Sequence, residues 1–209
     1  MKAIVVLVLL GGIVQAHAQL GGFGCPLEGQ PAIRQGDSEA KEGGRFNSNR
    51  GAGNSHGGLD LNSKEGTSVK AALGGKASVA DPNWGLMGGT VIIDHGEGAY
   101  TVYGHMASIK VAEGKQVTQG QVIGTVGYTG NAASLKAKGL PPHLHFALIQ
   151  AGQTGLADKD KPLREMKNWG DMWKRVLDAQ LTGPVNPGLF MGGADCWTGS
   201  TTIGAPGEK

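Results

Sequence analysis

Alternation of apolar and polar positions, rather than helical spacing, dominates the middle of this chain. Residues 67–72, 75–80, 90–95, 99–105, 121–126 and 144–150 carry β-branched or alternating apolar residues, and Gly, Pro, Asp or Asn bounds each run. These runs predict strands. Asp94-His95-Gly96-Glu97-Gly98 reads as a hairpin turn that joins the strand before it to 100–103. Residues 111–124 read as a loop and short strands with a glycine at each corner, and repeated glycines relieve the bends of a closing sheet. Helical spacing appears once, in Leu163, Met166, Trp169, Trp173, Val176 and Leu177, between a start signal at Asp160 and Pro162 and a stop at Gly183-Pro184. The fold expected is mostly β: a small curved antiparallel β-sheet scaffold with a C-terminal helix.

The N-terminus follows a different pattern. Met1-Lys2 precedes an apolar run over 3–14 and a small-x-small site at Ala16-His17-Ala18, which predicts a signal peptide over 1–18. The apolar run is too short to span a bilayer, which needs roughly 20 residues. Cys25 lies behind Gly22-Phe23-Gly24 instead of directly after the cleavage site, so a lipoprotein is not expected. The organisation expected is a signal peptide (1–18), an extended, polar, Gly-rich N-terminal segment (19–50), a core (51–152) and a C-terminal extension with one helix (153–209). The mature chain is expected to be periplasmic or secreted, with no membrane span after cleavage.

Composition narrows the function classes. Of 209 residues 38 are glycine, but without a three-residue period, so collagen is excluded. The formal net charge of +2 is too small for a nucleic-acid-binding face. Cys25 and Cys196 stand near the two ends, outside any Cys-x-x-Cys spacing, which argues against a thiol redox motif and a cysteine zinc knuckle. Export permits a Cys25–Cys196 disulfide as a structural staple, with two free thiols as the alternative.

Three places can carry chemistry. In the run from Pro141 to Ile149, His143 and His145 are one residue apart, and positions i and i+2 of a strand project from one face. Two neighbouring neutral imidazoles suit a metal. Upstream, His56-x-x-x-Asp60 encloses Gly57-Gly58, which disfavours a helix and favours a tight turn feeding a short strand over 59–61. His105, in Tyr103-Gly104-His105-Met106, ends an apolar strand, where a histidine is usually a half-exposed cap. Taken singly, each has an ordinary reading: a half-buried polar pair, a turn histidine beside a surface carboxylate, a strand cap.

Taken together and in order, they resemble a known family. His56-x-x-x-Asp60, Val91-Ile92-Ile93-Asp94-His95-Gly96 running on to Tyr103-Gly104-His105-Met106, Glu113-Gly114 to Gly120-Gln121-Val122-Ile123-Gly124, Gly127-Tyr128-Thr129-Gly130-Asn131 and His143-Leu144-His145-Phe146 are similar to the lysostaphin-like, or LytM-type, zinc metallopeptidases of peptidoglycan, the M23 class. The resemblance covers about residues 54–150, half the chain. It implies that His56, Asp60 and His145 hold one Zn²⁺, leaving a fourth position for water. It implies further that His143 orients or deprotonates that water and His105 stabilises the oxyanion, while His95 is structural. The activity implied is that of an exported zinc-dependent endopeptidase hydrolysing peptide bonds in bacterial peptidoglycan, in the stem peptide or cross-bridge. It would act on peptidoglycan peptides as a monomer. Two alternatives stand beside it: a non-catalytic LytM-type module that binds or activates another cell-wall hydrolase, and a zinc peptidase acting on glycine-rich proteins. A biotinyl or lipoyl carrier, whose hairpins the 113–123 stretch resembles, would need a lysine displayed at a hairpin tip in a Met-Lys-Met or Asp-Lys-Ala setting, and there is none. The chain departs from the family at Ala147, where Glu is usual, and in a longer 132–142 loop.

Overall fold

A computed structural model of the protein describes residues 22–35, 43–51, 54–150, 184–185, 187 and 196–198. The predicted signal peptide and C-terminal helix lie outside them. The strands are β1 (Asn49–Gly51), β2 (Asn54–Ser55), β3 (Leu59–Asn62), β4 (Ser68–Lys70), β5 (Gly75–Asp81), β6 (Gly89–Asp94), β7 (Ala99–Ile109), β8 (Gln116–Val117), β9 (Val122–Val126), β10 (His143–Gln150) and β11 (Pro184–Val185). β1 and β2 pair with each other, and the other nine form one open antiparallel sheet. The fold is mostly β, as expected. Where the sequence suggests only a loop, a short helix, α1 (Ala133–Ala137), follows a 3-10 turn at Gly130–Ala132. No side chain caps it, and five residues are too few to show a helical period.

β10 is the strand from which the site is built. β7 lies along one edge, from His145 opposite Gly104 to Gln150 opposite Ala99. The other edge is shared by β3, opposite 143–146, and β11, opposite Leu148 and Ile149. Leu144, Phe146 and Leu148 enter the larger core, with Leu59, Leu61, Val91, Tyr103 and Ile123. Ala147 and Ile149 enter a smaller cluster on the opposite face, with Val79, Trp84, Ile92 and Val102. Period-2 alternation therefore places His143 and His145 on the face of the smaller cluster. Burying each large side chain contributes roughly 1.5–3 kcal/mol, and a one-residue slip would exchange the histidines with that apolar set, so the core fixes the register.

β7 changes partners halfway along. Its pairing with β10 ends at Gly104, and its pairing with β9 begins at Met106 opposite Val126. Opposite the change, Gly89 faces Met106 while Val91 faces Tyr103, so β7 carries one residue more than β6 across that interval. This is a β-bulge, and His105 sits in it with a left-handed φ of 62°. The expectation that His105 ends its strand as a half-exposed cap is corrected: β7 continues to Ile109, and His105 is only 5% exposed.

The N-terminal segment is extended but not separate. Phe23, Leu27 and Ile33 are buried in the larger core. Ala32 bridges Thr198 and Ile33 bridges Leu61 of β3. A Cys25–Cys196 disulfide ties this segment to the C-terminal residues, as expected from the two cysteines.

Candidate metal centre

His56 and Asp60 reach the site from the turn before β3 and from β3 itself, and β3 pairs with the first half of β10, setting Asp60 opposite His145. The predicted turn and short strand are thus the means by which residues far apart in sequence meet. His56 Nε2, His145 Nδ1 and Asp60 Oδ1 form a ring in which each atom lies 3.0 Å from the other two. All three residues are buried. His143 Nε2 lies 3.7 Å from the same carboxylate oxygen, and His105 stacks edge-on to His143 with ring centroids 4.8 Å apart. All five site residues named from the sequence are therefore brought together.

Backbone carbonyls fix the state of two of the imidazoles. His56 Nδ1 is 2.9 Å from the Arg45 carbonyl, to which it can only donate, so in neutral His56 the Nε2 facing the ring is a lone pair. His105 Nδ1 likewise donates to the Thr129 carbonyl at 3.0 Å. Thr129 is itself braced, its hydroxyl accepting from Gly89 N–H at 2.8 Å and donating to the Met106 carbonyl at 2.9 Å. Burial, then the neighbouring His143 and His145, push His105 down to about 3. Burial likewise pushes His145 down to about 4, against the pull of Asp60. Burial alone would raise Asp60, but the imidazoles of His56, His143 and His145 outweigh it and hold the carboxyl well below its ordinary range.

The ring is thus a convergence of electron-pair donors with too few protons to share along its edges. His56, Asp60 and His145 are the set among the described residues whose donor atoms could hold a metal ion. Tetrahedral zinc with bonds of about 2.0–2.1 Å needs donors roughly 3.3 Å apart, so the ring has to open by only a few tenths of an ångström. Two imidazoles and a carboxylate are also the right donor chemistry, and the fit is good.

Other contributors were not singled out in the sequence. Arg34 Nε lies 3.6 Å from Asp60 Oδ2, on the side of the carboxylate away from the ring. Gly58 lies so close to His145 that a Cβ there would meet the Phe146 carbonyl at 2.6 Å and His145 Nε2 at 2.8 Å. The Gly57-Gly58 pair was legible as a helix breaker. Its second purpose, making room for an imidazole, appears only in three dimensions.

His95 stands apart from the site. Its Nδ1 donates to the Gly74 carbonyl at 2.8 Å, and its Nε2 lies 2.8 Å from Thr101 Oγ1. Thr101 Oγ1 is 3.0 Å from the Tyr103 hydroxyl, which accepts the Ala72 N–H at 2.7 Å. Burial lowers the pKa of His95, against the Gly74 hydrogen bond and Asp94. The Tyr103 hydroxyl accepts from both the Ala72 N–H and the Thr101 hydroxyl.

Comparison with known proteins agrees with this geometry. A stretch of 114 residues is 32% identical to the cell division protein DipM of Caulobacter vibrioides, covering 54% of this chain and 17% of that protein. Over 98 residues the chain is 35% identical to the murein hydrolase activator EnvC of Escherichia coli, covering 46% of this chain and 21% of the relative. It is 36% identical over 98 residues to the DD-carboxypeptidase/endopeptidase Mpg of Neisseria meningitidis, covering 47% and 21%. The chain thus spans about a fifth of the length of these curated relatives. The profile described as Peptidase family M23 matches residues 54–155, from just before His56 to just beyond β10. Those residues form a domain of peptidase family M23.

Proposed function

We propose that this chain is a zinc-dependent endopeptidase that hydrolyses peptide bonds of bacterial peptidoglycan, in the stem peptide or the cross-bridge. The observation that carries the proposal is the ring of His56 Nε2, Asp60 Oδ1 and His145 Nδ1 with two further histidines beside it. In this reading those three residues hold Zn²⁺. When bound, the ion would polarise the scissile carbonyl and lower the pKa of a water.

The remaining work falls to His105 and His143. With Nδ1–H given to Thr129, neutral His105 presents the Nε2 lone pair. Between them the two imidazoles would orient the attacking water and stabilise the oxyanion. Burial of both rings strengthens such interactions by excluding water. Asp60, held ionised, would offset one unit of the metal's charge and leave the loaded centre cationic overall.

A second reading has support in the printed name of the E. coli relative: a module that activates another murein hydrolase. The intact donor ring favours the enzyme. One experiment separates the two readings. Purified protein is analysed for zinc and incubated with sacculi of different wall chemistries, and the released muropeptides are identified by mass spectrometry. The enzyme carries close to one zinc per chain and produces new peptide termini that chelation abolishes. Metal-free protein that cleaves, or zinc-loaded protein that cleaves nothing alone yet stimulates a second hydrolase, overturns the proposal.

A further inference from the structure

The profile match begins at residue 54, yet the metal centre does not. We propose that Arg34 is a positioning residue for the metal ligand Asp60, and that the strap carrying it, residues 31–35 with 43–48, is held on the site by the Cys25–Cys196 disulfide. The proposal rests on the metal-binding reading above.

Three backbone hydrogen bonds close a ring between strap and ligand. Arg34 N–H donates to the Asp60 carbonyl at 2.8 Å, Asp60 N–H to the Gly44 carbonyl at 2.8 Å, and Gly44 N–H to the Arg34 carbonyl at 2.7 Å. The approach is so close that a Cβ on Gly44 would stand 2.4 Å from the Asp60 Cβ. From this ring the Arg34 guanidinium faces Asp60 Oδ2 at 3.6 Å, while Oδ1 faces the two imidazoles at 3.0 Å. The two carboxylate oxygens are thereby assigned different tasks: one to the metal and one to the arginine. A carboxylate held in this way presents a single donor in a fixed direction and loses less freedom when it binds.

The same strap grips the other ligand from its half of the domain. His56 Nδ1–H is given to Arg45, His56 N–H to the Ser48 carbonyl at 2.9 Å, and Asn47 N–H to the His56 carbonyl at 2.8 Å. At the far end, Thr198 N–H donates to the Pro31 carbonyl at 3.0 Å and Ile33 N–H to the Thr198 carbonyl at 3.1 Å, two residues beyond the disulfide at Cys196. Cutting that disulfide would remove the covalent tie between the segment that runs into Arg34 and residues 196–198.

Zinc affinity of the full chain, measured by competition with a fluorescent chelator, and the visible spectrum of the Co²⁺-loaded protein test this without any substrate. Arg34→Gln weakens zinc binding about 10–100-fold and alters the cobalt spectrum, the range typical for groups that orient metal ligands. Arg34→Lys recovers part of the loss because it restores the charge. Lys70→Ala, which removes the exposed Lys70–Glu28 ion pair of the same segment, leaves both readouts unchanged. The Cys25→Ser/Cys196→Ser variant weakens zinc in the same direction as Arg34→Gln. Wild-type affinity and spectrum in Arg34→Gln overturn the role of Arg34, and wild-type affinity in the double cysteine variant overturns the tether. Wild-type protein that binds no zinc overturns the metal-binding reading instead.

Discussion

His95 and His56 begin alike and end differently. Each is buried, and each gives its Nδ1–H to a backbone carbonyl, of Gly74 and of Arg45. Around His95 the Nε2 meets a hydroxyl, and the edge of the Phe23 ring completes an apolar wall. Around His56 the Nε2 meets a carboxylate oxygen and a second imidazole, which supply lone pairs. The first imidazole is a finished piece of structure. The second faces donor atoms that could hold a metal ion, so what distinguishes them is the identity of the group at one nitrogen, not burial, tautomer or position in the chain.

The sharpest way to break this contrast is to remove the imidazoles. His145→Ala and Asp60→Ala are expected to lose zinc and, with it, hydrolysis. His105→Ala and His143→Ala are expected to keep zinc while turnover falls by roughly 10²–10⁴. His95→Gln is expected to keep both. Zinc per chain measured beside muropeptide release decides all five, and loss of zinc from His95→Gln would erase the distinction.

Crowding comes next. Gly58→Ala inserts a Cβ against His145 Nε2 and the Phe146 carbonyl, so the ring must turn or β10 must shift. Zinc affinity is expected to fall on the order of 10-fold or more, as for other disturbances of ligand orientation. Chelator competition that returns the wild-type affinity would show that the loop yields without moving the imidazole.

What the sequence disclosed follows from locality. The His143–His145 face was legible because period 2 is a property of the strand alone, and the turn and short strand that carry Asp60 were legible because a glycine pair disfavours the helix, while its place in the site came from the resemblance. The bulge that turns His105 inward was not, since only the partner strands count the extra residue. Arg34 and Arg45 were equally hidden: one acts through an ion pair across the fold, the other through a carbonyl that every residue possesses. Strand 67–72 shortened to β4, and 90–95 moved by one residue to β6, because a neighbouring strand, not propensity, decides where pairing starts and stops.

Smaller effects belong to the finished side of the contrast. Thr101→Val leaves His95 Nε2 and the Tyr103 hydroxyl without their shared partner, at a cost of about 1–3 kcal/mol. Denaturant unfolding should register it while zinc affinity stays put. Smallest is an acid effect. His95 in the folded chain binds a proton less readily than its ordinary value of 6.5, so below that pH the unfolded chain takes up a proton that the folded chain refuses. The contribution of His95 is therefore complete above pH 6.5 and declines on acidification. Between about pH 7.5 and about pH 5.5 the unfolding midpoint should drop more steeply in wild type than in His95→Gln, by no more than about 1.4 kcal/mol per pH unit for one proton. Parallel slopes would place the acid sensitivity elsewhere.

The ring joins His145 to partners 85 and 89 residues earlier in the chain. On the proposed metal-binding reading, capture of the ion must then wait for the long-range pairing of β3 with β10, the kind of contact that makes β topologies slow to form. No short peptide cut from this sequence holds all three donors, unlike modules whose ligands lie within one turn or hairpin. On the proposed zinc assignment, uptake of the ion in a refolding experiment would accordingly time the closure of β3 on β10.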